Sequence, residues 1–208
     1  MKYIASLCTL VVLLSSCQSS ETAKPPEHVA PKDTVAAVRD FFPVPDYIGG
    51  QLRILDSLRP KLSKTITVEG KIKKAVTSLD ELRQLAQNFR EPDINQPALK
   101  PYYKATDFAD QSIPSVTFMY TATDSTLPVK QLNVFIRPDP VENDKVTGIY
   151  MEKSFRTLDT VFLKRFYWKT AGQLQVVTER TLNGKTLPAE QIKIAWDSSG
   201  SPSPATHN

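Results

Sequence analysis

The chain has 208 residues, of which 40% are apolar, 23% charged and 9% aromatic. That balance excludes a disordered polyampholyte and a multi-span membrane protein, and it fits one folded domain. Lysine and arginine total 26 against 22 acids, a net charge of +4, and without a dense basic stripe no nucleic-acid partner is expected.

Met1-Lys2 is followed by an apolar run from Ile4 to Leu14 and then by Leu14-Ser15-Ser16-Cys17. A membrane-spanning helix needs about 20 apolar residues, so this run is too short to cross and reads as a secretory leader over residues 1–16. A large aliphatic residue and two small ones directly before a cysteine form a lipobox, and the segment resembles the start of bacterial lipoprotein precursors. The resemblance implies cleavage before Cys17, a diacylglyceryl thioether on its sulfur and an acyl group on its new amine. Two or more acyl chains make a stable membrane anchor where one does not. Cys8 leaves with the leader, so no disulfide is expected. Gln18, rather than Asp, follows the cysteine, which in Gram-negative lipoproteins implies the outer membrane. The periplasmic face is favoured over the cell surface, because only Glu21 supplies an acid near the cysteine.

Residues 17–33 comprise the lipidated cysteine and a tether. Gln18 to Lys32 carries three prolines and one aliphatic residue larger than alanine, and at about 3 Å per residue it reaches roughly 45 Å from a bilayer. Residues 34–197 are expected to form a single domain, and the Ser/Pro/Gly-rich segment 198–208 reads as a disordered tail.

Within the domain, Tyr47, Ile48, Leu52, Leu55 and Leu58 recur at helical spacing between Pro45 and Pro60 and predict a helix over 46–58, weakened by Gly49-Gly50. Residues 64–76 alternate on both sides of Glu69-Gly70 and predict a short hairpin. Ser78-Leu79-Asp80-Glu81 is a capping box that opens a second helix, running to about Arg90, with Pro92 beyond it. After a proline-rich connection over 91–103 the period changes to two. Val116/Phe118/Tyr120, Leu132/Val134/Ile136, Ile149/Met151, Phe162 to Trp168, Leu174/Val176 and Ile192/Ile194/Trp196 mark about six strands, with turn signals that include Asn183-Gly184. Strand four is apolar on both sides, as a central strand would be. The expected fold class is therefore α+β: two N-terminal helices with a short β-hairpin between them, then an antiparallel meander.

Phe41 to Ile48, Gln51-Leu52-Arg53, Asp56-Ser57, Thr147 to Met151 and Ile194-Ala195-Trp196 resemble a family of small uncharacterised envelope lipoproteins of Gram-negative bacteria. The similarity spans most of 41–196. It implies one unbroken domain and supplies no catalytic residue.

Chemistry is sparse. The only histidines, His28 and His207, fall in the tether and the tail, which argues against a Ser-His or Cys-His pair and against a histidine or cysteine zinc site. No Gly-rich phosphate loop is present. Asp107 with Asp110, or Glu91 with Asp93, are the carboxylate pairs a glycan hydrolase would use, and Asp139, Glu142, Asn143 and Asp144 are the oxygen ligands a calcium site would use; caps and turns account better for all of these acids. No catalytic residue, metal or cofactor is assigned. The aromatic residues stand out instead. Phe162, Phe166 and Trp168 share one strand face, Tyr167 lies on the other, and Tyr102-Tyr103 fall in the connection. Core packing explains them; a functional reading makes Tyr102, Tyr103, Phe166 and Trp168 the candidates for an apolar groove or a sugar platform. The sequence thus predicts a non-enzymatic, lipid-anchored envelope module that binds an envelope protein, a glycan or a lipid. The runner-up is a lipid or lipoprotein carrier with an apolar groove between sheet and helices, and a carboxylate-dependent glycan hydrolase follows.

Overall fold

The structure is a computed structural model that describes residues 40–110, 112–139 and 144–197. The leader, Cys17, the tether and the tail lie outside the described residues, as do Glu142 and Asn143. The residues from Asp40 onward form a unit of their own.

Helix α1 spans Val44–Leu58. Its start has no side-chain cap, but Pro45 sits in the first turn, where its missing N–H costs nothing, and Asp46 complements the helix dipole there. Arg59 ends the helix in the left-handed conformation, its N–H donating to the Leu55 carbonyl, and Pro60 prevents continuation. Strands β1 (Leu62–Val68) and β2 (Lys71–Val76) follow as a hairpin whose turn, Glu69-Gly70, has positive φ at both positions. Helix α2 spans Leu79–Ala86 and tightens into a 3-10 turn over Gln87–Phe89. Ser78 caps it by accepting from the Glu81 N–H at 3.2 Å. The expected reciprocal bond is replaced, because the Glu81 carboxylate is taken by Lys64 of β1 and by Thr77. After a second 3-10 turn at Lys100–Tyr102 come β3 (Tyr103–Asp110), β4 (Ser115–Ala122), β5 (Val129–Arg137), β6 (Lys145–Thr157), β7 (Thr160–Lys169), β8 (Gln173–Leu182) and β9 (Lys185–Trp196).

These nine strands form one antiparallel sheet in the order β2-β1-β9-β8-β7-β6-β5-β4-β3. The molecule is mainly β, and this corrects the α+β expectation of a helical first half followed by about six strands. Two elements account for the difference. The early hairpin is not a separate piece between the helices: β1 pairs with the last strand, Leu62 opposite Trp196 and Ile66 opposite Ile192, so it extends the sheet at its far end. The strand β3 begins at the end of the proline-rich connection, where no strand is expected. It is an edge strand paired only with β4, and almost all of its side chains are exposed, so no buried alternation betrays it.

Both helices and the 3-10 turn after α2 lie on one face of the sheet. Ile48, Leu52 and Leu55 of α1, Leu82 and Ala86 of α2, and Phe89 pack onto Leu132, Val134, Ile149, Met151, Phe166, Trp168, Leu174 and Ile194. Phe89 meets Phe166 and Trp168 edge-on, with ring centroids at 5.8 and 6.4 Å, and Trp168 packs on Trp196 at 5.2 Å. Each fully buried large apolar side chain of this kind contributes about 1.5–3 kcal/mol. Lys153, only 7% exposed, closes the layer: its ammonium donates to the Asn88 and Glu91 carbonyls at the end of the 3-10 turn and lies 5.7 Å over the Phe166 ring.

Candidate functional site

The four ligand-binding candidates are not brought together. Phe166 and Trp168 are fully buried beneath Phe89, and Tyr103 is buried with its hydroxyl donating to the Val129 carbonyl at 2.9 Å. Burial pushes the Tyr103 pKa up to about 12. Tyr102 alone faces solvent, on the 3-10 turn before β3. The space between sheet and helices, expected as an apolar groove, is occupied by these rings. An apolar notch of about 520 Å³ lies instead at the rim, where Leu55, Pro60, Leu62, Val76 and Leu79 meet at the end of α1, the base of the first hairpin and the start of α2. A second, basic notch of about 430 Å³ lies between the helices beside Arg53, Arg83 and Arg90, with Arg83 already paired to Asp56 and Asp80.

The acids suited by type to catalysis are engaged locally. Asp110 accepts from the Ser112 N–H and hydroxyl, Asp93 from the Asn95 N–H, and Glu91 from the Gln87 amide. Asp107 and Asp110, three residues apart on a strand, point to opposite sides. Among the described residues no three of His, Cys, Asp and Glu converge as metal ligands would.

The other face of the sheet carries a different surface. Among the described residues no helix covers it, and its side chains come from the opposite parity of the same strands that build the core. One row crosses five strands in register: Asn133 of β5, Tyr150 of β6, Tyr167 of β7, Gln175 of β8 and Lys193 of β9. At the usual inter-strand spacing this row is about 20 Å long. The adjacent row runs Gln131, Glu152, Arg165 and Val177.

Gly148 makes room for one of the rings. A Cβ there would lie 3.0 Å from the Tyr167 hydroxyl and 3.0 Å from the Trp168 carbonyl oxygen, so the Tyr167 ring lies against bare backbone. Phe135 meets the same ring edge-on at 6.4 Å. Beside it the Tyr150 hydroxyl donates to Glu152 at 3.1 Å; Arg165 donates to Glu152 at 3.2 Å and to Glu179 at 2.5 Å. Burial, reinforced by the Glu152 charge, raises the Tyr150 pKa, and the hydrogen bond that Arg165 donates to Glu179 is the main cause raising the pKa of Arg165. All of these groups are partly exposed. Held rings with apolar faces, flanked by amides and by a fixed ion-pair chain, are suited to stack on and hydrogen-bond a neutral polyol.

Phe135, Tyr150, Glu152, Arg165 and the glutamines are absent from the candidates that the sequence singles out. A signal for them exists in the polar parity of strands β5 to β8, which places amide, aromatic and charged residues consistently on the face opposite the core. No protein-family model, curated protein or solved structure matches the chain.

Proposed function

We propose that the protein is a lipid-anchored envelope lipoprotein whose domain is a non-enzymatic binding module, and that it presents to a glycan the face of its sheet that no described helix covers. The observation that supports this reading most is the register row of Asn133, Tyr150, Tyr167 and Gln175, with Phe135 and the Glu152–Arg165–Glu179 chain beside it. Two adjacent rings between two amides, over about 14 Å, offer a saccharide chain stacking and hydrogen bonds together. The anchor reading rests on Leu14-Ser15-Ser16-Cys17, the outer-membrane position on Gln18, and the periplasmic face on Glu21 being the lone acid near the cysteine.

Two experiments test the parts separately. Cys17→Ser removes the sulfur that would carry the lipid, so the variant should leave the membrane fraction on washing in ~1 M salt or accumulate unprocessed; salt-resistant membrane association and processing like the parent's would reject the anchor. Tyr167→Ala should weaken retention of the protein on soluble peptidoglycan fragments by on the order of tenfold, the loss of one stacking contact of about 1–1.5 kcal/mol. Parent-like retention would remove the glycan face. A carrier of an acyl chain is the second reading, favoured by the rim notch of about 520 Å³; co-purified lipid lost on Leu62→Glu would support it.

A further inference from the structure

Strands β6 to β9 run on past the helix layer. Lys153 is the last β6 side chain covered by the 3-10 turn that follows α2, and two residues farther Phe155 is 41% exposed. Phe155 stacks on Phe162 of β7, with centroids 4.9 Å apart and planes within 11°, and the Lys164 ammonium lies 5.4 Å from the Phe155 ring. The hairpin ends in a two-residue turn, Leu158-Asp159, tied to the neighbouring β8–β9 turn by the Asn183 N–H donating to the Asp159 carbonyl.

Leu158 is the anomaly. It is fully exposed, at 102%, and its φ is 27°. Glycine, asparagine or aspartate would occupy such a turn position at lower cost, because a bulky L-residue with positive φ is strained. A strained leucine at the tip of an arm exposes apolar surface that contributes nothing to the core. The charges around it are mainly positive. Lys164 and Arg180 lie on the Phe155 side of the sheet and Arg156 on the other, and these and Lys185 have no ion pair among the described residues; Asp159 is the acid at the tip, and Glu179, on the Arg156 side, is held by Arg165.

We propose that the β6–β7 arm is a membrane-contact element that places Leu158 and Phe155 among the headgroups of an anionic lipid surface, with the four cations on lipid phosphates. Apolar side chains flanked by lysine and arginine are the chemistry of such an interface. A second copy of this arm would bring like charges together, and it is the less suitable occupant. The inference rests on the lipid-anchor reading for one thing, a bilayer within reach. Twenty-three residue steps separate Cys17 from Asp40, at most about 80 Å of chain. A domain of this size has a radius of gyration of about 15 Å, so the tether lets the arm turn to the membrane.

The test uses the full chain with Cys8→Ser and Cys17→Ser, so that no acyl group is attached, and a single new cysteine carrying an environment-sensitive fluorophore. One label is at Thr157→Cys, beside the tip; the other is at Ile113→Cys, exposed in the β3–β4 turn at the opposite end of the strands. With mixed phosphatidylethanolamine–phosphatidylglycerol vesicles the label at 157 should shift to shorter wavelength and the label at 113 should not. The shift should shrink in phosphatidylcholine vesicles and in ~1 M salt, where the Debye length falls to about 3 Å. Adding Leu158→Asn should abolish it without lowering the melting temperature, since asparagine tolerates this φ. No shift at 157, equal shifts at both labels, or a shift that survives Leu158→Asn would overturn the proposal. A shift that needs no vesicles and grows with protein concentration would do so too, in favour of self-association. Because the acyl site is already removed, failure here leaves the anchor to be judged by fractionation of the Cys17→Ser protein.

Discussion

Lys153→Met should change not only the stability of the domain but also how that stability depends on pH. Lys153 is 7% exposed, and burial lowers its pKa from 10.5 to about 8; the Lys164 charge acts in the same direction and the Glu91 carboxylate against it. A folded pKa below the unfolded one means that between pH 8 and 10.5 the unfolded chain binds more protons. Stability supplied by this group is therefore gained as pH rises through that window and lost as pH falls through 8. Each pH unit is worth at most about 1.4 kcal/mol, and with a discount for residual solvent the gain between pH 8 and 10 is about 2 kcal/mol. Tyr47, Tyr103, Tyr120 and Tyr150 have raised pKa values and remove stability above pH 10, so the comparison must be made against the variant, which shares them. Methionine keeps an apolar stem but cannot donate to the Asn88 and Glu91 carbonyls, at a cost of about 1–3 kcal/mol. The assay is urea unfolding of both proteins from pH 7 to 10. The variant should be less stable at pH 7, and the gap should widen by about 2 kcal/mol toward pH 10. A gap independent of pH would show that the ammonium is not desolvated, and the account of how the helix layer is closed would fail.

Two glycines give sharper tests of local geometry. Gly184 has φ 79° with nothing within 4 Å of the point a Cβ would occupy, and Asn183 before it has φ 49°; Gly184→Val should cost about 1–3 kcal/mol from backbone strain alone, and an unchanged urea midpoint would mean that β8 and β9 are not joined by this tight turn. Gly148→Ala should cost about 1–3 kcal/mol, because the new methyl meets the Trp168 carbonyl and the Tyr167 hydroxyl at 3.0 Å; it should also weaken glycan retention, and parent-like stability would show that the Tyr167 ring is not seated there.

Local chemistry makes much of the chain legible from its residues alone. Asn183-Gly184 and Glu69-Gly70 mark two-residue turns because positive φ is cheap at glycine and tolerated at asparagine, and both turns are present. Ser78 marks a helix start because its hydroxyl can accept from an orphan N–H, and it does. The apolar alternation of the last six strands reports their pairing with neighbours in sequence. What stays hidden depends on contacts between distant residues. No local pattern states that Leu62 lies opposite Trp196, and without that pairing the first hairpin looks like an appendage of the helices. β3 has no buried side, so its ladder with β4 leaves almost no hydrophobic trace. The aromatic residues show the same division. Trp168 and Tyr167 are adjacent in sequence and both aromatic, yet one is sealed under Phe89 and the other lies on the open face. Strand alternation dictates that they point opposite ways. Which of the two faces receives the helices is decided only when Phe89, Leu82 and Ile48 find enough apolar area on one side of the sheet to exclude water from it.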